Sequence, residues 1–384
     1  MHILVLNAGS SSDKCILFQD TAAIWKCHID YQEQKLEITC KGQTAIRPFS
    51  GKRPEILAEA IQDIWSVQQL TAKEAICCVG HRVVQGGGHF SEPVLITPEV
   101  KAAIKQLIPI APLHNPVNLE GIEILEKLFP NIPQVAVFDT AFYHHLPKVE
   151  ATYPIPAAWR QTGIKRYGFH GISHEYCVQQ AAQHVAQPLS KLKLVSCHLG
   201  NGASITATSH GQPIATSMGF TPLEGVMMGT RSGSIDPGIL LHLLKEGVDQ
   251  QELDRALNKE SGLKAIAGEP DMRRLAIRYA QNDPEAKLAV EMYAWRIKSY
   301  IGHMFFLLGG ADILLFTAGV GEHSALVRSL CCNNLEAFGI QLDAVKNEKN
   351  AIEISSGSCR ILVIPTQEEL AIANYCHSLL KSSF

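Results

Sequence analysis

The sequence predicts an α/β protein made of two related halves, and three observations carry that prediction. Apolar runs of strand length alternate with stretches of helical periodicity along the chain. Two distant segments repeat one design, an apolar run that breaks into an Asn/Gly/Ser turn and returns as a second strand-like run. At 384 residues the chain also exceeds one ordinary core, so two domains are expected, each able to bury its own interior.

The first copy of the repeated design is Ile3-Leu-Val-Leu-Asn-Ala-Gly-Ser-Ser-Ser12, returning through Cys15-Ile-Leu-Phe18. The second is Leu194-Val-Ser-Cys-His-Leu-Gly-Asn-Gly-Ala-Ser204, returning through Ile205-Thr-Ala-Thr208. Glycines let backbone N–H groups converge on an anion with no Cβ in the way, and the hydroxyls and amides add donors. One such loop alone reads more readily as an ordinary hairpin turn than as a phosphate site. A pair points to a duplicated phosphate clamp with a nucleotide between the halves. The chain has no G-x-x-x-x-G-K-[ST], which sets aside a P-loop NTPase, and Gly319-Val-Gly321 lacks the third glycine of a dinucleotide fingerprint because Ser324 stands there.

The remaining elements follow in order. From Pro54 to Leu70, the residues Leu57, Ala60, Ile61, Ile64 and Trp65 recur at steps of three and four and mark one apolar helical face. Ala75 to Val79 reads as a strand leading into the loop Gly80 to Gly88, and Gln134 to Phe138 as a strand leading into Asp139-Thr-Ala-Phe142. Both place polar residues at a strand exit, where ligands of open α/β sheets gather. The pattern then restarts with the strand Leu194 to His198, a helix from Gly238 to Lys245 and the longest helix, Glu285 to Leu308. Asp312 to Phe316 is a buried strand, Thr317 to Ser324 a loop opening the next helix, and Arg360 to Ile364 the last strand. Thr366 with Glu369 three residues on predicts a capping box at the start of the closing helix.

Composition narrows the function. Hydrophobic residues make up 46% and charged residues 18%, and 34 basic against 37 acidic residues give a net charge of −3, with no basic excess for nucleic acid. Eleven cysteines, two pairs of them adjacent, form neither a spaced disulfide framework nor a C-x-x-C zinc repeat, so reduced thiols are expected. Met1-His-Ile-Leu-Val-Leu lacks a signal-peptide leader, and the apolar run Ile301 to Phe316 is interrupted by His303 and Asp312. The expectation is a cytoplasmic protein with no membrane partner.

Arg82 and Arg231 lie in glycine-bracketed, otherwise uncharged stretches, which leaves each guanidinium able to meet a carboxylate or phosphate bidentately. Asp139 at a strand end could hold a metal or orient an acceptor, but taken alone it reads as a turn cap. His170 and His174 are four apart, but Gly168 and Gly171 argue against a helix there, so a zinc pair is not expected. A histidine in such a loop suits donation to a charged transition state. Glu368 falls in the first turn of the last helix, where the helix dipole alone favours a carboxylate.

Taken together these segments resemble the acetate kinase family, within the actin, hexokinase and sugar-kinase superfamily. The resemblance runs almost end to end: Asn7 to Ser12, Gly80-His-Arg-Val-Val84, Ala111-Pro-Leu-His-Asn-Pro116, Phe138-Asp-Thr-Ala-Phe142, Tyr167-Gly-Phe-His-Gly171, His198-Leu-Gly-Asn-Gly202, Thr216 to Gly225, Gly229-Thr-Arg-Ser-Gly233 and Ile364-Pro-Thr366. It implies two duplicated actin-like, ribonuclease H-like domains flanking a nucleotide cleft, residues 1–149 with 366–384 forming one and 150–365 the other. It also implies a homodimer packed through the second domain. The implied reaction is reversible transfer of the ATP γ-phosphoryl group to acetate, giving acetyl phosphate and ADP, with Mg²⁺ or alternatively Mn²⁺.

By the same resemblance Asn7 and Glu368 hold the magnesium environment and Lys14 reaches nucleotide phosphate. His198, Leu199, Gly200, Asn201 and Gly202 form the second phosphate loop, while Asp271, Met272 and Arg273 with Gly319, Val320, Gly321, Glu322 and His323 line the adenosine pocket. Arg82 resembles the partner of the acetate carboxylate. His170 and Arg231 resemble the groups that stabilise the transferring phosphoryl, and Val84, Leu113, Phe169 and Pro222 the apolar pocket around the methyl group. Asp139 matches the acidic residue of catalysis. Acetate is already ionised at neutral pH, which favours positioning of magnesium or Arg82 over proton transfer.

Several positions depart from the family pattern: Asp13 where an apolar residue is usual, Gln85 where His is frequent, Ala215 and Ser234 where Asp is frequent, and His323 and Gln367 where Asn is usual. Asp13 puts a negative charge beside a phosphate loop, and Lys14 is expected to offset it. His323 leaves the purine choice open. Propionate kinase is the nearest alternative reading, and a nucleotide-gated binding module is the alternative from another class.

Overall fold

The computed structural model describes residues 1–9, 11–68 and 76–382. Ser10 of the first turn, Leu70 and Ala75 lie outside the described residues, as does the Trp65 side chain. Two units divide the chain, Met1–His144 with Gln367–Phe384, and His145–Thr366.

The first unit is built on an eight-stranded sheet whose centre is β1 (His2–Ala8), apolar on both faces from Ile3 to Leu6 and buried there. β2 (Ser12–Gln19), β3 (Ala22–Asp30), β4 (Lys35–Cys40) and β5 (Gln43–Pro48) extend it on one side as an antiparallel meander. β5 is exposed throughout and ends at a proline, as suits an edge strand. On the other side β6 (Ile76–Val83) and β8 (Gln134–Phe138) run parallel to β1, with the short β7 (Val94–Leu95) at the far edge. The helix Arg53–Gln68 buries Leu57, Ala60, Ile61 and Ile64 on this sheet.

The second unit holds a five-stranded sheet of β9 (Lys193–Leu199), β10 (Ala203–Ser209), β11 (Gln212–Thr216), β12 (Ile313–Thr317) and β13 (Arg360–Val363). Its order, β11-β10-β9-β12-β13, repeats β3-β2-β1-β6-β8 of the first sheet. In both, two antiparallel neighbours precede a central strand and two parallel strands follow it. The Asn/Gly/Ser turns therefore occupy equivalent places, each between a central strand and its antiparallel partner. The helix Pro284–Leu308 is capped by Asp283 and ends at Gly309 in the left-handed region. It buries Ala286, Ala289, Val290, Tyr293, Ile297, Ile301 and Met304 at helical spacing.

Four local expectations are corrected. β6 does not stop at Val79 but runs through Gly80 and Arg82, because Gly80 lets the closing helix Glu368–Ser382 lie against the strand. A Cβ there would meet Ile372 at 2.7 Å and Cys376 at 2.8 Å. Residues 318–323 coil into a short helix that opens with Ala318 at φ 64°. A helix also starts at Gly171 and takes in His174, with His170 at its N-cap in the left-handed conformation at φ 58°. Lastly, Thr366 and Glu369 are engaged elsewhere: Thr366 N–H donates to Glu322 and its hydroxyl pairs with Ser173, while Glu369 accepts from Asn7. The expected capping box is not made.

Candidate active site

In the first unit the side chains at the carboxyl ends of three neighbouring strands converge. Arg82 from β6 reaches Asp139, just past β8, through Nε at 3.1 Å to each carboxylate oxygen and Nη2 at 2.5 Å to Oδ2. Its Nη1 donates to Asn7 Oδ1 on β1 at 3.2 Å, and Glu368 lies 3.8 Å from Nε. The Asn7 amide nitrogen donates in turn to Glu369 at 3.1 Å. Burial disfavours the Arg82 cation, but the Asp139 and Glu368 carboxylates more than offset this and hold its pKa above the ordinary value. Burial pushes the Asp139 carboxyl up, and Arg82 pulls it back.

Two asparagines to which the sequence reading gives no role fix the backbone beyond Arg82. Asn118 Oδ1 accepts from Val84 N–H at 3.0 Å and its amide donates to Ala8 O at 2.8 Å, while Asn115 Oδ1 accepts from Gln85 N–H at 3.1 Å. Asn115 lies within the His-Asn-Pro stretch and Asn118 follows three residues later on one helix face, which is the signal that could have found them. Val84 is buried and Leu113 half-buried in this unit; Phe169 is buried and Pro222 half-buried in the second.

Asp13 is fully buried behind the first turn, and Lys14 does not offset it. Strand alternation turns Lys14 outward, to the face opposite Asp13. The compensation comes from Tyr31, whose hydroxyl donates to Asp13 Oδ2 at 2.6 Å, and from Arg53, whose Nε lies 3.3 Å away. Arg53 also donates to Gly9 O at 2.7 Å and so ties the turn to the start of a helix. Burial still leaves the Asp13 pKa raised.

In the second unit His170, His198 and Arg231 gather around the second turn. A Cβ on Gly202 would stand 3.3 Å from the His170 ring and 3.5 Å from Arg231 Nη1, so this glycine keeps the space between them open. The His170 and His198 rings stack with centroids 4.1 Å apart. Arg231 donates to the Pro222 carbonyl at 3.2 Å and, among the described residues, forms no ion pair with a carboxylate; burial lowers its pKa. The Pro222 loop is itself braced by Arg166, which donates to the carbonyls of Thr216 and Met218 and pairs with Glu150 and Glu224. Tyr153 joins this brace, donating to Glu224 and accepting from Phe220 N–H.

Beside the turn lies a cavity of about 520 Å³ lined by Gly200, Asn201, Asp271, Met272, Arg273, Gly319, Val320 and His323, among others. Its size suits a nucleoside. Arg273 holds Asp271 bidentately and keeps the Asp271 pKa low, and Asp271 caps the helix Met272–Ala280. His323 is exposed at the lining, whereas Gly321 is buried beneath it and Glu322 turns to Thr366. Fully buried Arg328 donates to the Gly321 and Glu322 carbonyls and to Asn347, bracing the end of this short helix.

The sequence matches the acetokinase family over residues 2–374. The chain belongs to the acetokinase family. An acetate kinase of Acaryochloris marina is 48% identical over 98% of this chain and 99% of its own length. Among solved structures, the Porphyromonas gingivalis acetate kinase superposes with a TM-score of 0.91 at 37% identity, covering 99% of each chain. A Francisella tularensis propionate kinase does so at 0.92 and 38%, covering 97% of this chain and 98% of that one. The two-sheet α/β architecture is thus the acetokinase fold, with both sheets in the actin-like arrangement.

Proposed function

We propose that the chain catalyses reversible transfer of the ATP γ-phosphoryl group to acetate, giving acetyl phosphate and ADP by direct in-line displacement. Beside the family membership, the observation that carries this reading is Arg231, a half-buried guanidinium with no carboxylate partner among the described residues, set beside His170 across Gly202. Such a group is short of negative charge, and a transferring phosphoryl supplies it. Arg231 and His170 are assigned to its equatorial oxygens, the Gly200 to Gly202 turn to the nucleotide phosphates, and the adjoining cavity to adenosine.

Arg82 is assigned to the acetate carboxylate, with Asp139 holding the guanidinium in place. The acceptor needs no base, so orientation and charge stabilisation do the work. Val84, Leu113, Phe169 and Pro222 are assigned to the methyl group, and exposed Lys14 to nucleotide phosphate.

Magnesium fits the chemistry of the donor set. Asn7, Glu368 and Asp139 offer only oxygen ligands, and among the described residues no group of three or more His, Cys, Asp or Glu side chains forms a metal cage. A cation that keeps its waters and is held through one or two carboxylates and substrate phosphates suits such a site. Glu368 and Asn7 would hold it, and when bound it would supply charge neutralisation of the phosphates.

A second reading, propionate as acceptor, is favoured by the propionate kinase neighbour, and one methylene in an apolar pocket is worth only about 1 to 3 kcal/mol. Homodimerisation is supported by the helix Pro237–Lys245, which buries none of its residues and exposes Ile239, Leu241 and Leu244. No described helix is long and apolar enough to cross a membrane. The test is acetate-dependent ADP release with and without magnesium, with acetyl phosphate trapped by hydroxylamine. No trapped product would refute the assignment, and the ratio of acetate to propionate turnover decides between the acceptors.

A further inference from the structure

Two imidazole rings of the second unit share one hydroxyl. Ser204 Oγ lies 2.9 Å from His170 Nδ1 and 2.8 Å from His174 Nε2. A serine hydroxyl has one hydrogen and can donate to only one of the two rings, so where one ring accepts from it the other must donate, and the two cannot choose their tautomers independently.

The choice is made on the buried side. His174 is fully enclosed, and burial holds its pKa well below the ordinary value, so the ring is neutral and carries a single N–H. Its Nδ1 lies 2.6 Å from Ser196 Oγ, and Ser196 directs its own hydrogen to the Thr206 carbonyl at 3.4 Å. With the His174 hydrogen on Nδ1, Nε2 would accept from Ser204 and Ser204 would accept from His170 Nδ1–H. We propose that the chain Ser196, His174, Ser204 fixes the tautomer and tilt of His170, making Ser204 and His174 positioning residues for phosphoryl transfer.

The consequence lies at the other nitrogen. With Nδ1–H directed to Ser204, the His170 ring bears a hydrogen on Nε2 only as the imidazolium. Nε2 is the nitrogen that faces Gly202, 3.3 Å from where a Cβ would stand, with Arg231 Nη1 near the same point. Arg231 Nη1 and the stacked His198 ring on β9 lie beside it, and His174 is reached through Ser204. An anionic phosphoryl at Nε2 would favour the imidazolium. His170 is thereby set to become a charged donor when the anion arrives.

This inference rests on the assignment of His170 to the phosphoryl group, and the experiment separates the two. In ¹⁵N-histidine NMR of the full-length ligand-free protein, with His170 identified by its loss in His170→Asn, Nδ1 should appear protonated and Nε2 unprotonated. Ser204→Ala should lower kcat about ten- to a hundredfold, the scale on which orienting partners of functional histidines act. The KM values for ATP and acetate should stay within about twofold, as for an interaction made in the transition state. Ser204→Thr should restore most of the rate. An unprotonated Nδ1 in the wild type, or full turnover in Ser204→Ala, overturns the relay alone. Full turnover in His170→Asn overturns the assignment beneath it.

Discussion

Arg82 and Asp139 meet side-on, with Nη2 2.5 Å from Oδ2 and Nε shared between both carboxylate oxygens, an arrangement that aims the guanidinium and keeps it charged. Nη1 is turned to Asn7. Removing Asp139 leaves the cation without its aim, so Asp139→Ala should act through Arg82. We expect Arg82→Ala to weaken acetate use, raising the acetate KM, with a loss of about 2 to 4 kcal/mol in kcat/KM. Asp139→Ala should fall in the same direction, and the double variant should be no worse than the poorer single one. Steady-state kinetics of the three proteins check this; additive losses would show that Asp139 acts independently.

Arg231 has the opposite electrostatic situation, a half-buried cation that donates to the Pro222 carbonyl and the Met228 sulfur. On the proposed assignment its counter-charge is the transferring group, so Arg231→Ala should lower kcat by about 2 to 4 kcal/mol equivalent and leave the acetate KM within a few-fold. Arg231→Lys should recover little, since an ammonium lacks the planar fork. An acetate KM rising as steeply as in Arg82→Ala would place Arg231 on the acceptor instead.

The repeated turns were legible in the sequence because apolar runs and Gly/Ser punctuation are local signals, and the shared sheet order shows why they recur. Where β6 ends was not legible: Gly80 reads as a loop residue, and only the closing helix packed against it, from the far end of the chain, explains a glycine inside a strand. The histidine relay joins residues from a helix start and two strands, and no spacing rule links them. The mistaken pairing of Lys14 with Asp13 is different in kind. Period-two alternation already places adjacent strand residues on opposite faces, so the sequence alone argued against it. Arg53, by contrast, arrives from a separate helix.

His81 offers a pH test of the first unit. Burial depresses its pKa to about 4, and its Nε2 lies 2.6 Å from Gln134 Oε1. The unfolded chain takes up this proton near pH 6.5 and the folded chain only near 4. The contribution of neutral His81 is therefore complete above pH 6.5 and is lost as pH falls through that window, by roughly 3 kcal/mol. Urea unfolding at pH 7 and pH 4.5 should show His81→Gln losing less stability across the window than the wild type. Equal losses would mean that His81 does not couple folding to protons.

Asp13 and Arg53 form a buried pair, with side chains 0% and 11% exposed, that ties the first turn to the helix beginning at Arg53. Breaking one side of such a pair strands the other charge, whereas replacing both with apolar groups removes the desolvation penalty along with the attraction. Arg53→Met should destabilise the protein by about 3 to 5 kcal/mol, because Asp13 loses its cationic partner and keeps the neutral donors Tyr31 and the Gly9 backbone. Asp13→Val in that background should recover much of the loss, restoring the apolar character that the family resemblance leads one to expect at this position. The function of the pair is then separable from its stability, since Arg53 also holds the Gly9 carbonyl at 2.7 Å and the double variant loses that tie. We expect it to be nearly as stable as the wild type but to show a higher KM for ATP. Denaturant titration and nucleotide kinetics on the same preparations check both halves, and an unchanged ATP KM would mean that the turn keeps its shape without Arg53.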